Sequence, residues 1–511
     1  MPLTPISKRL SGPLTPRGCT NVYGSRFASE HMPTDRLPED EMPKEAAYRM
    51  ITDDLVLDGI PMLNLASFCT TYMEEEAEKL IFESANKNVI DHEEYPRSVE
   101  LEQRCLRILA NLFHSPEQNG QTTAIGTACI GSSEAIMLAT LAMKKRWKNQ
   151  RKAAGKDASQ PNIIMSTGVQ VCWEKAAAYF EIEEKLVPCT ETRYVIDPAQ
   201  AVDLVDENTI GICAILGTTY TGQYEDVKQI NDLLVQRGLD TPIHVDAASG
   251  GFVAPFVNPG LVWDFQLSNV VSINVSGHKY GLVCVPGHRL GSLAIRRLSP
   301  QELIFNINYL GADQLNFTFN FSKPASHIIA QYYQMIRLGR RGYHAIMGNL
   351  TRTADYLAAH LQNMGFFIMS EGSGKGLPVV AFRLSTSQSL FFDEFALSHK
   401  LRERGWIVPA YTMAADCEKM SMMRVVVRED FTQSRCDSLI RDIELALNAL
   451  AGDEMRRVQR YQAYVRRLRS GSYQLLMLSR FVSSHMVPEK MGVEQRCIEV
   501  TPLITPPPEE A

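Results

Sequence analysis

Two hydrophobic periods alternate along most of the chain. Leu101, Cys105, Ile108, Leu109 and Leu112 recur at helical spacing, whereas residues 162–165, 185–188, 209–216, 242–245, 270–275 and 291–295 are short, nearly unbroken apolar runs. Helical stretches at 171–180, 198–205 and 226–237 separate several of these runs. Strands alternating with helices predict an α/β fold, with a mainly parallel sheet covered on both faces. Gly131-Ser132-Ser133-Glu134 opens a further helix that ends among Lys144, Lys145, Arg146 and Lys148, the charge order that the helix dipole favours.

From about Arg341 the pattern changes. A helix at 343–364, a strand at 378–383, a helix at 391–404, a strand at 422–427 and a helix at 432–450 predict a smaller C-terminal α/β domain. The expected organisation is a disordered tail at 1–41, an N-terminal segment at 42–100 that includes a short amphipathic helix, a large domain at 101–340, a small domain at 341–452 and a basic extension at 453–511. In the tail, Lys8, Arg9, Arg17 and Arg26 precede the first acid, Glu30, as in a transit peptide. Its prolines and missing periodicity predict disorder instead.

Composition narrows the class. A chain of 511 residues is too long for one core. A net charge of −6 gives no overall footprint for nucleic acid. No apolar run approaches the ~20 residues that span a bilayer. Eleven cysteines without a CxxC pair argue against a disulfide framework and a zinc ribbon, and no metal is expected. Reduced thiols in the cytoplasm are the expectation.

Ser276-Gly277-His278-Lys279-Tyr280-Gly281 follows an apolar run, which places Lys279 at a strand end. An isolated lysine there is ordinarily a solvated surface residue. Small neighbours and His278 instead suit a crowded site, where burial makes the amine a nucleophile. Pro242-Ile243-His244-Val245-Asp246-Ala247-Ala248 puts a carboxylate at another strand end, as a helix cap or as a functional group. Free N–H groups at the 131–134 helix start suit a phosphate, and serine capping is the plainer reading.

These motifs occur in order with Asn64-Leu65-Ala66-Ser67-Phe68, Asn86-Lys87-Asn88, Glu94-Tyr95-Pro96, Val169-Gln170-Val171-Cys172-Trp173 and Asn320-Phe321-Ser322. From about Met42 to Ala451 the chain resembles the group II pyridoxal-phosphate decarboxylases, in particular the glutamate decarboxylases of plants and bacteria. The resemblance implies a type I pyridoxal-phosphate fold, aspartate aminotransferase-like, with a seven-stranded sheet. It implies decarboxylation of L-glutamate to 4-aminobutanoate in a homo-oligomer, a dimer or a hexamer, with the 42–100 segment contributing to the pocket and to subunit contacts.

By the same resemblance, Lys279 would hold pyridoxal 5'-phosphate as a Schiff base and Asp246 would pair with its ring nitrogen. Gln170 and Ala248 would flank the ring and Thr219 would contact the ring oxygen or the carboxyl group. Ser132, Ser133, Ser276 and His278 would hold the phosphate, with Ser322 arriving from a neighbouring subunit. Ser67, Phe68, Asn88 and Asp91 would shape the side-chain pocket, Arg424 would bind the α-carboxylate, and Lys279 or His278 would return the proton.

One stretch departs from the pattern. In 283–291, Pro286, His288 and Arg289 stand where the relatives carry a segment with glycine and tryptophan. Residues 455–486 carry seven arginines and no acid, interleaved with Tyr461, Tyr464, Leu468 and Leu475. A basic amphipathic helix suits calmodulin or a membrane surface, and plant relatives bind calmodulin at this place. Two rival readings stay open: a pyridoxal-phosphate decarboxylase or lyase of another substrate, and an inactive relative serving as a scaffold.

Overall fold

The computed structural model describes residues 32–118, 121–122, 125–284, 290–295, 301–308, 314–385 and 392–469. The 1–31 tail, Pro286, His288 and Arg289, and 470–511 of the extension lie outside the described residues. Two compact units emerge, Met1–Leu450 and Ala451–Ala511. The expected divisions at 100 and 340 fall inside the first.

That unit is built on a seven-stranded sheet. Its strands are β1 (Ile125–Ile130), β2 (Asn162–Ser166), β3 (Glu183–Val187), β4 (Thr209–Ile215), β5 (Ile243–Asp246), β6 (Val270–Ser276) and β7 (Leu290–Ile295). The order is β1-β7-β6-β5-β4-β2-β3, and β7 alone runs against its neighbours. Every residue of β2, β4, β5 and β6 is buried, as expected of parallel strands covered on both faces. Alternate residues feed two cores: Ile212 and Ala214 on one side of the sheet, Cys213 and Ile215 on the other. Strand β1 is not among the expected runs, because Gly126, Thr127 and Ala128 give it little apolar signal; its pairing with β7 completes the sheet edge.

A smaller sheet follows, all antiparallel, in the order Phe366–Ile368, Val379–Leu384, Ser421–Val426, Ala410–Thr412. The helix expected at 343–364 begins earlier and runs Ser326–Asn363, broken at Gly339, whose φ of 55° is open to glycine. Buried His327, Gln331 and Gln334 interrupt the apolar stripe of its first part and hide it in the sequence. The helix expected to stop at 450 runs Gln433–Arg469.

One buried acid braces the sheet. Glu225 accepts hydrogen bonds from the backbone of Ile196 (3.0 Å) and Ile215 (2.7 Å). Burial pushes its carboxyl up to about 7, and the two backbone donors offset part of that rise. The folded protein therefore keeps a proton that the unfolded chain releases. The stability this contributes is full below about pH 4.5 and is lost as pH rises through 7. Glu225→Gln is expected to remove the dependence, so the variant gains on the parent by up to about 3 kcal/mol between pH 5 and pH 8. Urea unfolding at the two pH values checks this; parallel losses in both proteins would contradict it.

Candidate active site

The carboxyl ends of β4, β5 and β6 lie side by side, where open α/β sheets bind ligands. Lys279 sits just past β6. Its loop is tight: a side chain at Gly281 would meet the Gly277 backbone at 2.6 Å, and Leu282 adopts a φ of 61°. Gln334 donates to the Leu282 carbonyl (2.7 Å) and Tyr343 to that of Gly281 (3.0 Å), clamping the turn. The Lys279 Nζ donates to Ser249 Oγ at 3.1 Å and lies 5.4 Å from the centre of the Phe68 ring. Burial lowers its pKa, which favours the neutral, nucleophilic amine; the charge of Asp246 opposes this.

Asp246 is buried with both oxygens engaged. Trp173 Nε1 donates to Oδ2 (3.0 Å), while Asn274 Nδ2 (3.0 Å) and the Ala248 N–H (3.2 Å) donate to Oδ1. Register explains the Asn274 contact, because Asp246 pairs with Asn274 and His244 with Ser272 across β5 and β6. Since Asn274 gives its amide hydrogens to the carboxylate, its Oδ1 faces His244 Nε2 (2.7 Å), and that nitrogen must donate. His244 Nδ1 then accepts from Ser272 Oγ (2.7 Å). Burial lowers the His244 pKa and keeps the ring neutral, so the chain of donors from Ser272 runs toward Asp246. Sequence reasoning missed this chain. Its signal was the period-two polar pattern, His244 and Asp246 in one apolar strand, Ser272, Asn274 and Ser276 in the next.

The hydroxyls of Ser132 and Ser276 are hydrogen-bonded to each other, at the start of helix Gly131–Ala153. Gly131 there has a φ of 79°, and Ser133 is the next residue of the helix after Ser132. Ser276 and Ala248 are joined through their backbones (3.1 Å), and Gln170 caps helix Val171–Tyr179 by accepting from the Cys172 N–H (3.2 Å). His278 is buried and its carbonyl accepts from the Thr70 N–H (2.9 Å), tying the lysine loop to the Ser67-Phe68 segment.

Arg424 lies buried on the inner strand Ser421–Val426 of the small sheet. It donates to the carbonyls of Thr219 and, at 2.8 Å, Ala66; Thr219 thus meets it through its backbone. Its guanidinium carbon lies 4.8 Å from the Phe68 ring centre, so Phe68 lies beside both the Lys279 amine and the Arg424 guanidinium. The Arg424 Nε–H is buried without a hydrogen-bond partner, a donor suited to an incoming carboxylate.

Asn88, Asp91 and Ser322 form a second group. Asn88 Nδ2 donates to Ser322 Oγ (3.3 Å) and its Oδ1 accepts from the Lys323 N–H (3.0 Å), whereas Asp91 Oδ1 accepts from the Glu94 N–H (2.9 Å). Glu134 links this group to the serine helix by accepting from the Asn320 N–H (3.1 Å). Among the described residues, the hydrogen bonds of Asn88, Asp91 and Ser322 do not reach Lys279 or Arg424.

The site fits pyridoxal phosphate. A buried amine of lowered pKa, a buried carboxylate fed by three donors, and paired hydroxyls at a helix start match its aldehyde, ring nitrogen and phosphate.

Comparisons with known proteins agree. Residues 38–385 match the pyridoxal-dependent decarboxylase conserved domain. Glutamate decarboxylase of Petunia hybrida is 52% identical over 437 residues, covering 84% of this chain and 86% of that protein. Glutamate decarboxylase beta of Listeria innocua is 42% identical over 436 residues, covering 84% of this chain and 93% of that protein. The solved glutamate decarboxylase of Lactobacillus brevis superposes with a TM-score of 0.79 at 41% identity, covering 84% of this chain and 97% of that one. Sphingosine-1-phosphate lyase of Burkholderia pseudomallei shares the fold, with a TM-score of 0.69 at 21% identity over 86% of this chain and 98% of that one.

Proposed function

The chain belongs to the pyridoxal-dependent decarboxylase family, and from that premise we propose that it converts L-glutamate and a proton to 4-aminobutanoate and carbon dioxide. The observation that carries the proposal is the meeting of Lys279 and Arg424 on one ring, Phe68, a cofactor-holding amine beside a carboxylate-binding guanidinium.

Bound pyridoxal phosphate supplies the electron sink for the pair released when the α-carboxylate leaves. The rest is done by side chains. Lys279 would hold the cofactor, and Asp246, oriented by Trp173 and Asn274, would keep its ring nitrogen protonated. Ser132, Ser133, Ser276 and His278 would hold the phosphate, and Gln170 and Ala248 would flank the ring. Arg424 grips the α-carboxylate and fixes the direction of the bond that breaks. Lys279 Nζ or His278 returns the proton to Cα. Ser67, Phe68, Asn88 and Asp91 receive the distal carboxylate, and Ser322, bonded to Asn88 of its own chain, would reach the cofactor phosphate held by a neighbouring subunit.

The working form is a homo-oligomer. Helix Lys44–Leu55 buries none of its residues, and Tyr48, Ile51 and Leu55 are exposed, an apolar surface that a second subunit covers. Nine described cysteines are free, which suits the reducing cytoplasm. Among the described residues no helix is long and apolar enough to cross a membrane.

The basic extension, residues 455–486, binds calmodulin in this proposal. The helix continues to Arg469 with Arg460, Tyr461 and Tyr464 exposed. Co-elution of the full chain with calcium-loaded calmodulin, lost in a chain ending at 452, is the expected result.

Purified protein given pyridoxal phosphate is expected to gain visible cofactor absorbance and to release carbon dioxide from L-glutamate. Absorbance with release only from another amino acid would move the substrate; no absorbance would favour the scaffold.

A further inference from the structure

Tyr411 touches the arginine assigned to the substrate's α-carboxylate. It lies on strand Ala410–Thr412, paired in register with Met422 of the adjacent strand Ser421–Val426. Arg424 is two residues beyond Met422 on the same face, so Tyr411 and Arg424 are diagonal neighbours across the sheet. The guanidinium carbon of Arg424 lies over the Tyr411 ring, 5.5 Å from its centre. The Tyr411 hydroxyl donates to the Tyr220 carbonyl at 3.3 Å, while Arg424 donates to the carbonyl of the preceding residue, Thr219. The two side chains are thereby anchored to successive carbonyls of one segment beyond β4. The Tyr220 ring packs on that of Tyr411, with centres 6.0 Å apart. Burial pushes the Tyr411 phenol up to about 12, which keeps its hydroxyl a donor.

Arginine has five N–H donors in a rigid plane. Two carbonyls hold two of them, and a ring face restrains the tilt of the plane. What remains, including the unpartnered buried Nε–H, is presented in one orientation. We propose that Tyr411 is a positioning residue for substrate recognition: with its ring over Arg424 and its hydroxyl on the 219–220 segment, it sets the guanidinium plane that receives the α-carboxylate. The inference rests on the assignment of Arg424 to that carboxylate. It predicts a selective effect, because 4-aminobutanoate keeps the amine and the distal carboxylate of glutamate but lacks the group that Arg424 holds.

The test uses the holoenzyme and two constants, the KM for L-glutamate and the competitive inhibition constant of 4-aminobutanoate. Tyr411→Met fills the space without a π face. It is expected to raise the KM about tenfold and to move the inhibition constant by no more than about twofold. Tyr411→Phe keeps the ring and is expected to recover most of that loss. If the Met variant melts well below the parent, Tyr411→Leu takes its place. A Met or Leu variant that raises both constants together, or neither, overturns the inference. Arg424→Ala in the same assay separates the two levels. A selective rise there with none for the Tyr411 variants sinks only the role of Tyr411, and no selective rise sinks the assignment of Arg424 together with it.

Discussion

Lys279→Ala is expected to abolish the visible absorbance of bound cofactor and to lower turnover of L-glutamate by on the order of 10²–10⁴-fold or more, since the proposal assigns this side chain to holding the cofactor and makes it one of two candidates, with His278, to return the proton. Fold stability should not follow. The parent buries an amine whose side-chain hydrogen bond goes to Ser249, and desolvation of that group opposes folding. Alanine removes this cost and leaves the Lys279 backbone bonds to Ser276 and Leu282 in place. A variant that melts at or above the apo parent, lacks absorbance and does not turn over is the expected combination. Retained absorbance or retained turnover would place the cofactor elsewhere.

Arg428→Ala is expected to cost roughly 3–5 kcal/mol of stability, the range for stripping one partner from a buried charged network. Arg428 is 2% exposed. It donates to the carbonyls of Pro61 (3.0 Å), Ser67 (3.3 Å) and Cys69 (3.1 Å), and pairs with Asp430 at 3.4 Å. Beside it, Glu429 accepts from the Thr71 N–H (2.9 Å) and Asp430 from the Thr71 hydroxyl (2.7 Å). Three successive residues at the end of a small-sheet strand thus hold the segment that carries Ser67 and Phe68. Its release should raise the KM for glutamate as well as lower the urea midpoint. Arg428→Lys should recover little of the loss, because an ammonium cannot span three carbonyls as a planar fork does. Unchanged midpoint and KM would mean that this segment is held by other contacts.

Much of the large domain was legible because fully buried parallel strands leave short apolar runs, and β4 and β6 are of that kind. Lys279 and Asp246 were legible because a charged residue closing such a run needs an explanation. The resemblance supplied Arg424, which its strand alone would not have marked. Two features around the site were not found. Arg428 bonds to backbone carbonyls more than 350 positions away, a contact without a side-chain pattern to match. The Ser272–His244–Asn274 chain behind Asp246 depends on the register of two strands, which the polar alternation signals only once their pairing is known. Strand β1 was hidden by its small residues and the first part of helix Ser326–Asn363 by its buried polar ones.

Purified full-length protein with pyridoxal phosphate, given L-glutamate labelled in the α-carboxylate, should release labelled carbon dioxide and form one 4-aminobutanoate for each carbon dioxide. Binding of the cofactor without release from glutamate, or release from an aromatic amino acid instead, would contradict it.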